Sequence, residues 1–244
     1  MGGGVTEVPT VDKITSFLWR LEEIRDFVNN VYIPDVVTVA KAYADYLDVG
    51  AGCGNLLSYG SYELDGAEPD LTKRKRLFKQ GTLSRDLKLD KLDVGAITEQ
   101  VKHSWYEAAT TGHQPSQGET RPQADKAGAY SWVKAPRYDG KVYEVGPLAR
   151  LLVTYASGDP TVKQTGEWAL KALGIGPDKA FSVLGRVLAR ALCTKLVADA
   201  MPAWLLELKP GQPVYTEYTI PERSTGMGLV DASRGALGHW IQIE

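Results

Sequence analysis

The chain has 244 residues, 43% of them hydrophobic, and a formal net charge of −2 with 24% charged residues. That is enough apolar material for a sizeable core. The slight acidity excludes a general attraction to nucleic acid, and no stretch approaches the roughly 20 apolar residues of a membrane span. The opening Met-Gly-Gly-Gly-Val-Thr has neither the charged nor the apolar region of a secretion signal, and two cysteines, Cys53 and Cys193, do not make a disulfide framework.

From Thr10 to Val31 the apolar residues Ile14, Phe17, Leu18, Leu21, Ile24, Phe27, Val28 and Val31 recur at three- and four-residue steps, which predicts an amphipathic helix. Pro34 interrupts and opens a second helix, Asp35 to Leu47, set antiparallel or at an angle to the first. Gly50 to Gly54 breaks the helical pattern, and Leu56 to Leu64 reads as a short strand. The basic run Lys73 to Arg76 is flanked by Glu68, Asp70, Asp86 and Asp90, so a solvated loop or strand edge is favoured over a nucleic-acid patch. A helix is expected from Leu92 to Tyr106. Residues 107–129, rich in Gly, Thr, Gln and Pro, form a surface loop. Neither His103 nor His113 has neighbours at metal-ligand spacing.

Tyr130 to Val145 suggests two short strands joined at Asp139-Gly140. Pro147 opens a helix that buries Leu148, Leu151, Leu152 and Tyr155, and Glu144 before it complements the helix dipole. Asp159-Pro160 caps a helix that stops at Gly174. Pro177-Asp178 begins the longest helical pattern, with Gly185, Ala189 and Ala191 small enough for close approach, and Pro202 ends or kinks it. A short strand at Val214 to Ile220 then delivers the chain to its last segment. The fold class is α+β and predominantly helical: one partial domain over residues 1–244, with a central helical group from Thr10 to Leu47 and Leu148 to Val197, short strands and long irregular loops.

The last segment, Gly226 to Glu244, reads GMGLVDASRGALGHWIQIE. Glycines let backbone pass close to a bulky neighbour, and Arg234 is the one long cation among them. Two readings are open on these residues alone. In one, Arg234 is held over a pocket, where its five fixed donors act on a small bound group. In the other, a Gly-Ala-Leu-Gly turn precedes a strand and Arg234 is merely solvated.

The run SRGALGHWIQIE resembles the Pro-Arg-Gly-Ala-Leu-Gly-His-Trp signature of nickel-iron hydrogenase large subunits. YSWVKAPRYDGKVYEVGPLAR, Tyr130 to Arg150, is similar to a second block of that family, and weaker echoes at Gly2–Thr6, Leu57–Gly60, His103–Tyr106 and Leu184–Arg186 fall in family order. The resemblance covers essentially the whole chain. It implies reversible oxidation of molecular hydrogen by heterolytic cleavage at a nickel-iron centre with diatomic iron ligands, working with an iron-sulfur small subunit. It also implies a periplasmic or membrane-associated setting reached through partner subunits, with a cytoplasmic one left open.

By position in the motif, Arg234 matches the catalytic arginine above the metal pair and Leu237 the leucine lining the diatomic ligands, while Ser233 and His239 are cofactor-pocket support. The family's metal ligands lie in two Cys-x-x-Cys pairs, which this chain lacks, so no metal ligand and no cofactor of its own are expected. The chain is thus expected to be the central part of a large subunit, inactive without the cysteine-bearing segments. The alternative is a truncated or degenerate non-enzymatic scaffold fragment. One departure is Ser233, where the family usually has proline: serine loosens the turn and adds a donor.

Overall fold

The structure is a computed structural model that describes residues 8–70, 73–117, 119–212 and 217–244. Helix α1, Val11–Phe27, starts where the Thr10 side chain accepts from the Lys13 backbone N–H. It does not stop before a separate second helix. It runs through a π-helical turn, Val28–Tyr32, into α2, Ile33–Ala42, followed by a 3-10 turn, Ala44–Leu47. The expected break at Pro34 is absent for a physical reason. A wide turn reroutes the backbone hydrogen bonds, and Pro34 in the first turn of α2 needs no N–H there.

Next come the short strands β1 Leu56–Ser58, β2 Ser61–Glu63, β3 Arg76–Phe78, β4 Gly81–Leu83, β5 Leu89–Asp90, β6 Ile97–Gln100 and β7 Ala135–Tyr138. The helix expected from Leu92 to Tyr106 is not formed. The Asp93 side chain caps a 3-10 turn, Val94–Ala96, by accepting from Gly95 N–H, and β-branched Ile97 and Thr98 continue into β6. Asp139 (φ +48°) and Gly140 (φ +69°) do make a tight turn after β7. The second strand of that expected pair is reduced to a Tyr138–Lys141 bridge, and β7 pairs with β6 instead.

Helix α3, Pro147–Ala156, follows Gly146; α4, Pro160–Leu173, is capped by Asp159, whose carboxylate accepts from Val162 N–H at 3.1 Å, and Gly174 follows it with φ +67°. Pro177–Ala180 is a separate 3-10 turn, so the longest helix, α5 (Val183–Leu206), starts later than its proline suggests. Its N-cap is Ser182, and it runs on past Pro202. The expected strand at Val214 to Ile220 lies partly outside the described residues, and 217–220 carry no strand. The chain closes with β8, Ser224–Ala232, and β9, Gly235–Ile243. Helices of all kinds take 41% of the described residues and strand 20%, so the class is α+β with helix the larger share rather than dominant.

The chain divides into two compact units. In the unit of residues 1–49 and 164–220, α5 packs on α1 and α2 around buried Leu21, Ile33, Ala40, Leu188, Leu192 and Leu196. Arg25 and Lys195 both reach Asp199, at 3.4 and 2.7 Å. In the unit of residues 50–163 and 221–244, all the sheets are small and antiparallel: β1-β4-β5, β2-β3, β6-β7 and β8-β9. Helix α3 packs against β1, β3, β4 and β9, burying Leu56, Phe78, Leu83 and Val153 to 1% exposure or less. Three residues of the basic run pair with carboxylates: Lys73 with Asp70 at 3.1 Å, and Arg74 and Arg76 with Glu63 at 2.6 and 3.8 Å. Among the described residues of 107–129 there is a 3-10 turn, Ala108–Thr110, and otherwise turns and an isolated bridge. No helix among the described residues is long and apolar enough to cross a membrane.

The start of α5 depends on one absent side chain. A Cβ at Gly185 would fall 2.0 Å from the Ala180 carbonyl oxygen, a backbone atom that cannot rotate away. Gly185→Ala is therefore expected to destabilise the chain by about 1–3 kcal/mol or more, read as a lower urea midpoint.

Candidate active-site hairpin

The C-terminal motif is a β-hairpin. β8 and β9 pair in continuous register from Ser224↔Ile243 to Ala232↔Gly235, so Ser233 and Arg234 alone form the turn. The Gly-Ala-Leu-Gly segment expected as a turn is strand. Its alternation puts Ala236, Gly238 and Trp240 inward and Leu237, His239 and Ile241 outward. Ala236, Trp240 and Leu229 pack on a buried cluster of Leu57, Tyr59 and Ile97. Gly238 is required beneath the indole: a Cβ there would sit 2.6 Å from a Trp240 ring carbon.

Two glycines fix where the turn sits. Gly146, the N-cap of α3, has φ +115°, and a Cβ on it would lie 2.9 Å from the Arg234 carbonyl oxygen. Gly235 has φ +136°, and a Cβ on it would meet Val145 Cγ2 at 2.6 Å and Gly146 N at 2.8 Å. The Arg234-Gly235 backbone thus lies directly against Val145-Gly146, a contact open only to residues without a side chain. The two blocks of the motif resemblance, well separated in sequence, meet here.

Below the turn is a buried polar group that sequence reasoning missed. Asp231, 5% exposed, is joined through Oδ2 to Ser58 Oγ at 2.6 Å and accepts from the Tyr59 backbone N–H at 3.1 Å, while its own N–H donates to Gly60 O at 2.9 Å. Arg150, also 5% exposed, donates from Nη2 to the Ala232 carbonyl and lies over the Phe78 ring at 5.8 Å; its buried Nε has no partner. Burial pushes the Asp231 carboxyl above the ordinary carboxylate value, against the opposing pull of its hydrogen bonds and of Arg150. Burial, and then the Asp231 charge, push the Tyr59 hydroxyl up to about 12. A signal for both residues is present in the sequence: Asp231 is the one charged residue of β8, and Arg150 the one charged residue of α3.

The four residues singled out from the motif are all exposed. Arg234 and Ser233 are at the tip, Leu237 and His239 on the outer face of β9. Their side chains are not enclosed together. Leu237 also borders a cavity of about 420 Å³, with Tyr59, Ile97, Tyr143, Val145 and Trp240 on its walls and the Glu99–Lys134 ion pair (2.7 Å) at its edge. Trp240 Nε1, buried there, has no hydrogen-bond partner.

A family model described as nickel-dependent hydrogenase matches residues 1–244. The chain belongs to the nickel-dependent hydrogenase family. Among curated relatives it is similar to the periplasmic [NiFeSe] hydrogenase large subunit of Desulfomicrobium baculatum, at 37% identity over 251 residues, 99% of this chain and 47% of that one. It is also similar to the uptake hydrogenase large subunit of Azotobacter chroococcum, at 35% identity over 96% of this chain and 45% of that one. Among solved structures, the Ni-Fe-Se hydrogenase of D. vulgaris Hildenborough superposes with a TM-score of 0.84 at 38% identity, covering 99% of this chain and 50% of that one. The chain thus spans about half the length of the hydrogenase large subunits it matches.

The donor set does not fit a nickel site on this chain by itself. Soft metals of this kind are held by thiolates. Cys53 is exposed and Cys193 is buried, each in a different unit, and no group of three or more His, Cys, Asp or Glu suited to a metal occurs among the described residues.

Because the two-glycine contact sets the turn, Gly235→Ala is expected to lower stability by about 1–3 kcal/mol and to make the Ser233-Arg234 bond newly sensitive to limited proteolysis. Gly226→Ala and Gly228→Ala, where an added Cβ meets nothing within 4 Å, should change stability by no more than about 0.5 kcal/mol.

Proposed function

We propose that this chain is the central part of a hydrogenase large subunit, and that in the complete protein it contributes to the reversible, heterolytic oxidation of molecular hydrogen. The observation that carries the reading is the fixed backbone of Arg234: a two-residue turn, clamped by Gly146 and Gly235, that carries an exposed guanidinium at its tip. The names of the relatives, all hydrogenase large subunits, support the reaction class.

Hydrogen is a very weak acid, and its heterolysis needs a hydride acceptor together with something that stabilises or takes the proton. In the family the nickel-iron centre, with diatomic ligands on iron, supplies the first. Its ligands come from segments other than this one, so the contribution of this chain is the second. Arg234 offers positive charge and five donors carried on that fixed backbone, which stabilises negative charge developing beside it. Acting as a base is the more demanding role, because a guanidinium parts with its proton only when its surroundings force it to. Leu237 supplies an apolar wall that excludes water from the bound gas, and Ser233 and His239 support the turn and the outer face of β9. An iron-sulfur small subunit takes the electrons. The compartment of the complex follows that of its partners, the periplasm being the setting named for the D. baculatum relative.

Exposed apolar side chains on α1, Phe17, Trp19 and Phe27, at 49%, 74% and 55% exposure, support the reading as a portion of something larger. A non-enzymatic scaffold fragment is the second reading. It is favoured by the exposure of all four motif side chains and the lack of a described donor cluster.

In a complete large subunit containing these residues, assembled with its small subunit, Arg234→Lys is expected to lower hydrogen uptake with an artificial electron acceptor roughly a hundredfold while nickel content holds. Unchanged uptake removes Arg234 from the mechanism. Reading the gene in frame beyond both ends decides between the two readings: Cys-x-x-Cys pairs support the enzyme, stop codons the relic.

A further inference from the structure

We propose that Asp231 is held as a neutral carboxylic acid that donates from Oδ2 to Ser58 Oγ, and that this buried acid is a positioning residue for the Arg234 turn, released when it ionises as pH rises. The functional half rests on the reading of Arg234 given above; the protonation half does not.

The argument is a proton count around one oxygen. Ser58 Oγ has three close partners: it accepts from Gly60 N–H at 3.1 Å, and it lies 2.8 Å from the Lys79 carbonyl oxygen and 2.6 Å from Asp231 Oδ2. A hydroxyl carries one proton. The Lys79 carbonyl can only accept, so if Asp231 is ionised two acceptors compete for that proton, and one of the two short oxygen contacts has no hydrogen in it. A proton on Asp231 Oδ2 resolves both: Asp231 donates to Ser58, and Ser58 donates to Lys79. Asp231 Oδ1 is then left to accept from Tyr59 N–H at 3.1 Å.

The surroundings agree. Among the described residues Asp231 has no ion pair within 4.0 Å, although it is 5% exposed, and an unpaired buried carboxylate is costly. Arg150 of α3 acts on it electrostatically but gives its hydrogen bond to the Ala232 carbonyl and leaves Nε unpartnered. Tyr59, after β1, is the other titratable group acting with it. From β2 comes Glu63, engaged by Arg74 and Arg76, and from β9 comes His239, exposed and paired with Gly228 rather than beside Asp231. Burial raises the carboxyl pKa, in line with the proton count.

The position gives the acid its consequence. Ala232 alone separates Asp231 from the turn, and the Ser58, Tyr59 and Gly60 bonds tie β8 to the β1–β2 connection. When Asp231 ionises, its proton leaves to solvent, Ser58 turns its hydroxyl to the new carboxylate, and the Lys79 carbonyl gives up that bond. The base of the hairpin then carries a buried charge, and the turn loses its fixed height. The linkage has a definite sign. A carboxyl whose folded pKa is raised contributes stability that is fully present below the ordinary carboxylate pKa and is lost as pH rises through the folded value.

The test uses the complete large subunit assembled with its small subunit and labelled with ¹³C-aspartate. The wild-type minus Asp231→Asn infrared difference at pH 7 is expected to contain the carbonyl stretch of one protonated carboxyl, disappearing as pH rises. A carboxylate stretch alone at pH 7 overturns the proposal. Asn at 231 preserves the shape, donating to Ser58 and accepting from Tyr59 N–H, so the variant is expected to fold. Wild-type hydrogen uptake should fall with rising pH in step with the infrared band, and this fall should be lost in D231N. The same fall persisting in D231N overturns the positioning role. If Arg234→Lys leaves uptake intact while the band titrates as expected, it is the arginine reading that fails and not the protonation of Asp231.

Discussion

Backbone meets backbone where Gly146 and Gly235 pass each other, and the rest of the second unit is arranged around that contact. Both residues have positive φ, both would clash if given a methyl group, and each stands in its clash beside the other's chain. Their approach places the N-terminus of α3 against the tip of the β8–β9 hairpin. From there the buried side of α3 reaches β1, β3 and β4 and closes the core over Leu56, Phe78 and Leu83. Steric permission of this kind carries little attraction of its own. The attraction is supplied one layer deeper, by Arg150 holding the Ala232 carbonyl and by Asp231 seated on Ser58 and Tyr59.

What could be read from the residues divides along physical lines. Helices with strong end signals were legible: Thr10 before α1, Asp159-Pro160 and Gly174 around α4, and Gly146-Pro147 before α3 all act as their chemistry suggests. The Leu92–Tyr106 segment misled because its apolar spacing fits a helix, while Asp93 and Gly95 close a turn and the β-branched residues after them find a partner in β7, about 40 residues on, through the register Ile97↔Tyr138. Pro34 opens α2 as its fixed φ suggests but without the break expected before it, and α5 runs four residues past Pro202, so that proline does not end the helix.

At the motif, residue identity was easier to read than residue role. The resemblance marks Arg234 and its neighbours, and the family is as the motifs indicated. The exposure of Arg234, Ser233, Leu237 and His239 does not follow from the motif, because enclosure depends on what packs over the hairpin rather than on its own sequence. Nor does the motif single out Asp231 and Arg150. Their significance lies in pairings across 173 and 82 positions of sequence, which no local pattern encodes.

The wide turn at Val28–Tyr32 has a consequence of its own. A π-helical turn holds one more residue than an α-helical turn, so it behaves as a single-residue insertion stored inside a continuous rod. Everything from Ile33 onward is rotated by roughly 100° relative to an uninterrupted α1. That offset selects which flank of α2 meets α5: Ile33 and Ala40 turn inward, while Val39 looks out at 52% exposure. Excising one residue from the turn of five would let the rod close as ordinary α-helix with Ile33 and Ala40 still facing inward, whereas tightening the turn without a deletion would swing that flank away from α5.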